Sequence, residues 1–256
     1  MAGRFSSFLR FLLGNFGVIL GTYPGVRAIT VACVAAYLVQ SVAWNIEVFD
    51  GIALGAILDR AFGMFWPFAR QGAIWQPVTH AFLHGSLWHL VLNLFSLIFF
   101  GYAVERILGT RRFWLVFLAS AAIGGIGWMA FDCVEPRLWY AVSRLGGAGL
   151  RLAQRWGEAQ SPGLGNNVCV GASGGVFGLI GAFAALCPRE RLTVLLFYVV
   201  PVTLQTRHLA LLLVAVNVVE MVGSMGHVAY MAHLLGGLAG YVYAKALIRR
   251  AARFAG

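Results

Sequence analysis

Charged side chains are scarce in this 256-residue chain. Lys and Arg number 19 and Asp and Glu only 9, together 11% of the sequence, against roughly 25% in a soluble globular protein. That shortage excludes a water-soluble globule, because too little polar surface remains to cover one of this size. Cysteine is sparse as well: the four residues have no zinc-ligand spacing. No Glu stands between His80 and His84 to make the H-E-x-x-H of a zinc protease, so no metal is expected there and both histidines read as structural. Arg4 and Arg10 lead into an apolar run with no A-x-A-like cleavage site before Pro24, which argues against a signal peptide. No internal repeat of useful period is visible, which disfavours a transporter built from paired broken helices. No cofactor is expected.

What is abundant is apolar. The hydrophobic fraction is 60%, with 8 Trp and 19 Phe, and the mean hydropathy is +0.80. These values predict an all-α polytopic membrane protein. A spanning helix needs about 20 mostly apolar residues, and six runs qualify or come near: Val26–Trp44, Leu87–Val104, Phe113–Phe131, Val170–Cys187, His208–Gly223 and Val228–Ile248. Phe5–Leu20 is broken by Arg10 and reads as an interfacial amphipathic segment. Leu192–Val202 would rise only ~16 Å as a helix and ends at Pro201, so it is expected to dip into the cytoplasmic face without crossing.

The net charge of +10 follows the membrane and not a groove-binding patch, so nucleic acid is not an expected partner. With the N-terminus inside, thirteen of the 19 cations fall on inner segments. This positive-inside bias puts both termini in the cytoplasm. The first outer loop, Phe49–Ser86, carries Phe62, Phe65, Trp66, Phe68 and Trp75 and suits a position half-sunk among headgroups. The second, Asp132–Asn167, holds either an amphipathic surface helix over Pro136–Glu158 or a plain solvated loop. Cys133 and Cys169 bracket it, as a disulfide or as free thiols. The organisation expected is residues 1–25 as a cytoplasmic or interfacial segment, 26–248 as the membrane domain and 249–256 as a basic tail.

Polar groups at membrane depth are costly and ask for a reason. His89 and Asn93 lie one turn apart in span two, Ser173 opens span four within G-A-S-G-G-V-F-G, and His233 lies near the start of span six. Spans two, four and six all run inward from the outer face, so these groups share one layer. Gly171, Gly174 and Gly178 on one helix and Gly236, Gly237 and Gly240 on another form small-residue stripes that permit close approach. A serine hydroxyl needs a base to become nucleophilic, and His233 supplies one. The helix N-terminus at Ser173, with Asn93 and His89 as side-chain donors, completes an oxyanion hole. The inventory is that of acyl transfer; the competing reading makes these residues interhelical hydrogen-bonders.

At these positions the sequence resembles the rhomboid family of intramembrane serine proteases. The resemblance runs from about Trp75 to Tyr241 and rests on Trp75–Asn93, on Gly171-x-Ser173-Gly174, and on Ala232-His233 with Gly236 and Gly240. Gly101-x-x-x-Glu105 with Gly109 also looks like the family. Gln76 departs from it, standing where the family often has Arg, and the long Asp132–Asn167 segment is not something the core pattern requires.

The resemblance implies a six-helix rhomboid-like bundle with a half-embedded outer loop between helices one and two. It implies a Ser173–His233 dyad, a cap around Gly223–His227 and a fifth span that helps gate entry, and it matches His84 to a histidine the family often keeps. The activity implied is hydrolysis of peptide bonds in or beside the transmembrane helix of membrane-protein substrates, at a site opening to the outer side of a cell membrane. The alternative is a catalytically silent protein of the same fold that binds membrane-protein clients.

Overall fold

The computed structural model describes residue 14 and residues 17–49, 51–143, 167–196, 200–223 and 229–254. In lipid a chain satisfies its backbone polar groups locally only as helix, and the apolar runs fold accordingly. In chain order, α1 (Pro24–Ala43) leads to a small hairpin, β1 (Glu47–Phe49) and β2 (Ile52–Ala53). Three short helices follow, α2 (Leu54–Phe62), α3 (Trp66–Ala69) and α4 (Gln76–Thr79), then a 3-10 turn at His80–Phe82. Next come α5 (Leu87–Leu108), α6 (Thr110–Ser143) and α7 (Ser173–Leu186). A second hairpin, β3 (Arg191–Leu196) and β4 (Val200–Gln205), precedes α8 (Thr206–Gly223) and α9 (Tyr230–Phe254).

The chain is therefore an integral, multi-pass, all-α membrane protein. Among the described residues, four segments are long and apolar enough to cross a bilayer: α1, α5, Thr110–Val134 of α6, and α9. At 14 residues α7 rises ~21 Å, short of the ~30 Å hydrocarbon core. It has no lipid face to fill, because eleven of its residues are buried. A helix apolar all round belongs at the centre of a bundle, and α7 packs against α5, α6, α8 and α9.

Within the segment Leu192–Val202, the described residues are strand and not helix: they belong to the β3–β4 pairing, in register from Arg191↔Gln205 to Leu196↔Val200. Thr193, Val194, Val200, Val202 and Thr203 are β-branched and favour the extended backbone, and the Thr193 and Thr203 hydroxyls pair across it at 2.9 Å. Pro201 is tolerated because a two-stranded ribbon has only edges. At its open end Thr206 N–H donates to the Glu190 carbonyl and Arg207 N–H to that of Pro188. The chain thus leaves α7 and enters α8 at one level.

Beyond Asp132, α6 continues without interruption to Ser143. The remainder of the anticipated Pro136–Glu158 helix, most of Phe5–Leu20 and the anticipated cap around Gly223–His227 lie largely outside the described residues. At the opposite end of the bundle Glu105 closes the start of α1. Its carboxylate accepts from the N–H groups of Gly25 (2.8 Å) and Val26 (2.9 Å) and from the Thr110 hydroxyl (2.8 Å). Negative charge is favourable at a helix N-terminus, so the residue is a cap.

The outer loop is held by Gln76, which is fully buried. Its amide donates to the carbonyls of Arg60 and Ala61 and accepts from Phe65 N–H. The Trp75 indole and the Thr79 hydroxyl fasten the same loop to the carbonyls of Ala61 and Phe62. A neutral amide therefore anchors this loop. Phe62, Trp66, Phe68 and Trp75 face outward while Phe65 is buried.

Candidate active site

Gly171 organises the approach to α7. Its N–H donates to the His80 carbonyl at 2.9 Å, and Cys169 pairs with Met64 through both backbone bonds, so the outer loop straps the turn that precedes Ser173. Gly171 has φ +131°, a conformation that side chains rarely adopt. A Cβ built there would lie 2.7 Å from His89 Cε1 and 3.8 Å from Ser173 Oγ. The serine hydroxyl and the His89 ring thus border one small space, with the first N–H groups of α7 beside it. Ser173 is half-buried.

His89 sits in the first turn of α5, where its N–H donates to the Oγ of the N-cap Ser86. Its ring meets that of His84 edge-on, centroids 5.2 Å apart. His84 is buried; its backbone N–H donates to Gln40 Oε1 of α1, and its ring Nδ1 lies 3.3 Å from the Phe82 carbonyl. Burial and the neighbouring His89 push the His84 ring down to about 4, and burial does the same to His80. Both stay neutral near pH 7. Asn93 is buried, and its Nδ2 donates to the His89 carbonyl at 2.9 Å. One hydrogen of that amide is thereby engaged within its own helix, and the second is the one left for a ligand.

His233 is brought to the same end by the contact between α7 and α9. A Cβ on Gly236 would collide with the Gly174 carbonyl, and one on Gly240 with the Gly178 carbonyl. Equal steps along both helices mean that they run parallel, backbone on backbone, with their N-termini together. Phe177, one turn below Ser173, stacks on the His233 ring at 4.3 Å and 3°. On its other side His233 Nδ1 pairs with Asn217 Oδ1 of α8 at 2.8 Å. Among the described residues Ser173 makes no hydrogen bond to this ring in the resting structure; such contacts often tighten only with substrate bound.

Of the anticipated residues, then, Ser173, His89 and Gly171 border one space, while Gly174, Gly236 and Gly240 form the contact between α7 and α9, the helix that bears His233. Asn93 and His84 support His89. Two participants were not anticipated. Asn217 is a polar group inside an apolar span, a signal of the same kind that marks Asn93. Phe177 is four residues from Ser173, on the same helical face. Cys33, Cys169 and Cys187 are free thiols.

Residues 71–250 match the family model described as Rhomboid domain. Among curated proteins, the chain is 29% identical over 111 residues to Rhomboid protease GlpG of Yersinia pestis (strain Pestoides F), covering 43% of this chain and 36% of that one. It is 30% identical over 166 residues to Rhomboid protein 1, mitochondrial, of Saccharomyces cerevisiae, covering 65% of this chain and 40% of that one. The chain thus spans well under half the length of these relatives.

Proposed function

Because the chain belongs to the rhomboid family, whose members include intramembrane proteases, we propose that it is a serine endopeptidase that hydrolyses peptide bonds in or next to the transmembrane helix of membrane-protein substrates. The observation that carries this reading is the parallel α7–α9 contact, with the His233 ring stacked on Phe177 one turn below Ser173. Ser173 Oγ attacks the scissile carbonyl carbon and passes its proton to His233 Nε2. The Ser173 N–H, Asn93 and His89 receive the developing oxyanion. His233 then gives the proton to the leaving amine, and water releases the acyl group from Ser173.

The site belongs to the outer leaflet of a cell membrane in this reading, with both termini cytoplasmic and residues 26–248 forming a six-helix membrane domain. The purified chain, reconstituted in vesicles with a fluorescent single-span substrate, is expected to cleave it. Ser173→Ala and His233→Ala should each lose nearly all turnover. Equal turnover in the three proteins ends the proposal and leaves the client-binding alternative.

A further inference from the structure

The fifth long apolar run contributes one buried polar side chain to the middle of the bundle, and it touches the base. Asn217 is 4% exposed, although much of α8 around it, including Leu211, Val214 and Val219, faces outward. Its Nδ2 donates to the Leu213 carbonyl at 2.8 Å, which turns Oδ1 toward His233 Nδ1 at 2.8 Å. An amide oxygen only accepts, so the proton of the neutral imidazole resides on Nδ1. Nε2 keeps its lone pair, the form in which it can take a proton from a hydroxyl.

We propose that Asn217 is the positioning residue of the base: it selects the His233 tautomer, holds the ring against Phe177, and makes the base competent only while α8 is seated. This rests on the protease reading and deepens it. In the attack, Ser173 Oγ bonds to the carbonyl carbon, its proton goes to Nε2, and Nδ1–H remains donated to Asn217 Oδ1. The imidazolium is met by an amide dipole where a carboxylate would supply a full charge. Of the elements packed on α9, α6 carries Asp132, bonded to Asn167, and His89 of α5 is the titratable neighbour that acts on His233. Glu220, on α8, acts on Tyr230 of α9, and α7 presents Ser173 and Phe177, neither charged near neutrality.

The test compares Asn217→Leu and Asn217→Asp with wild type in vesicles, measuring kcat and KM from pH 5 to 9. Leu keeps the branching at Cγ in a somewhat larger side chain and removes the acceptor: kcat is expected to fall about 10–100-fold with KM within twofold. Asp keeps an acceptor and adds charge beside Nδ1. It should retain kcat within a few-fold at neutral pH and move the acid limb of kcat/KM upward by about one pH unit or more. A side chain that merely packs α8 would leave that limb in place. Wild-type kcat and an unmoved limb in both variants, with Ser173→Ala inactive, overturn the inference alone. Wild type no more active than Ser173→Ala overturns the protease reading. Independently of turnover, nitrogen NMR of histidine-labelled protein should show the His233 signal, identified by its loss in His233→Gln, as the Nδ1–H tautomer. The Nε2–H form would refute the assignment.

Discussion

Gly236 and Gly237 are neighbours on α9, yet only one of them should tolerate alanine. A Cβ at Gly236 lands on the backbone carbonyl of Gly174, closer than non-bonded atoms come, whereas a Cβ at Gly237 finds nothing nearer than the Phe177 carbonyl oxygen at 3.6 Å. Either change gains about 1 kcal/mol of helix propensity, so that contribution cancels between the two. What differs is overpacking. The obstacle at Gly236 is backbone, no rotamer clears it, and the helices must part. Overpacking of this kind costs about 1–3 kcal/mol, or roughly 2–12 °C in the unfolding midpoint of a chain of this size. Parting the helices here also draws His233 away from Ser173, and a displacement of ~1 Å at a reacting pair costs about 100-fold in rate. Gly236→Ala is therefore expected to melt several degrees below Gly237→Ala in detergent and to cleave a reconstituted substrate about two orders of magnitude more slowly. Equal midpoints and equal rates in the two variants would refute the backbone contact as the element that holds the site together.

Glu105→Ala leaves two buried N–H groups and the Thr110 hydroxyl without their acceptor and should cost about 2–4 kcal/mol, with Glu105→Gln intermediate; unchanged midpoints in both would remove the cap. His80 and His84 have folded values of about 4 against about 6.5 for free imidazole. Above pH 6.5 neither the folded nor the unfolded chain binds these protons, so stability is unaffected. As pH falls from 6.5 to 4 the unfolded chain takes them up first, and up to about 3 kcal/mol per ring is lost. Midpoints measured across that window should fall, less steeply in His84→Phe, and identical slopes would contradict the burial of a neutral ring. Burial, reinforced by the charge of Asp132, pushes the Cys169 thiol up to about 12; it should resist iodoacetamide at pH 8 in the folded protein and react once unfolded, and rapid labelling of the folded chain would count against its enclosure.

Much of this architecture is readable from residue pattern alone because two strong signals act over long stretches. Runs of about 20 apolar residues reveal the helices, and the cost of polar groups in lipid singles out His89, Asn93, Ser173 and His233. Parity of crossings then places them in one layer, and the glycine stripes supply the approach of α7 to α9. What escaped the pattern is short or tertiary. The eleven mostly apolar residues at 192–202 read equally as helix or strand, and β-branched content decides only once the two halves can pair. A separate surface helix is expected to begin at Pro136, but this residue removes one amide hydrogen without forbidding helical φ, and α6 runs on through it. Gln76 satisfies irregular loop carbonyls that carry no periodic trace. Asn217 is conspicuous within its span, but its partner lies on another helix, so the role emerges only when α8 is set against α9.

A Ser173 nucleophile activated by His233 is open to covalent capture, which needs no assumption about substrate. The full chain in detergent, treated with a fluorophosphonate and analysed by mass spectrometry, should carry a single adduct on the peptide containing Ser173. That adduct should be absent from Ser173→Ala and strongly reduced in His233→Ala. An adduct located on another residue, or labelling of Ser173 that proceeds equally well without His233, would rule out activation of this serine by that histidine.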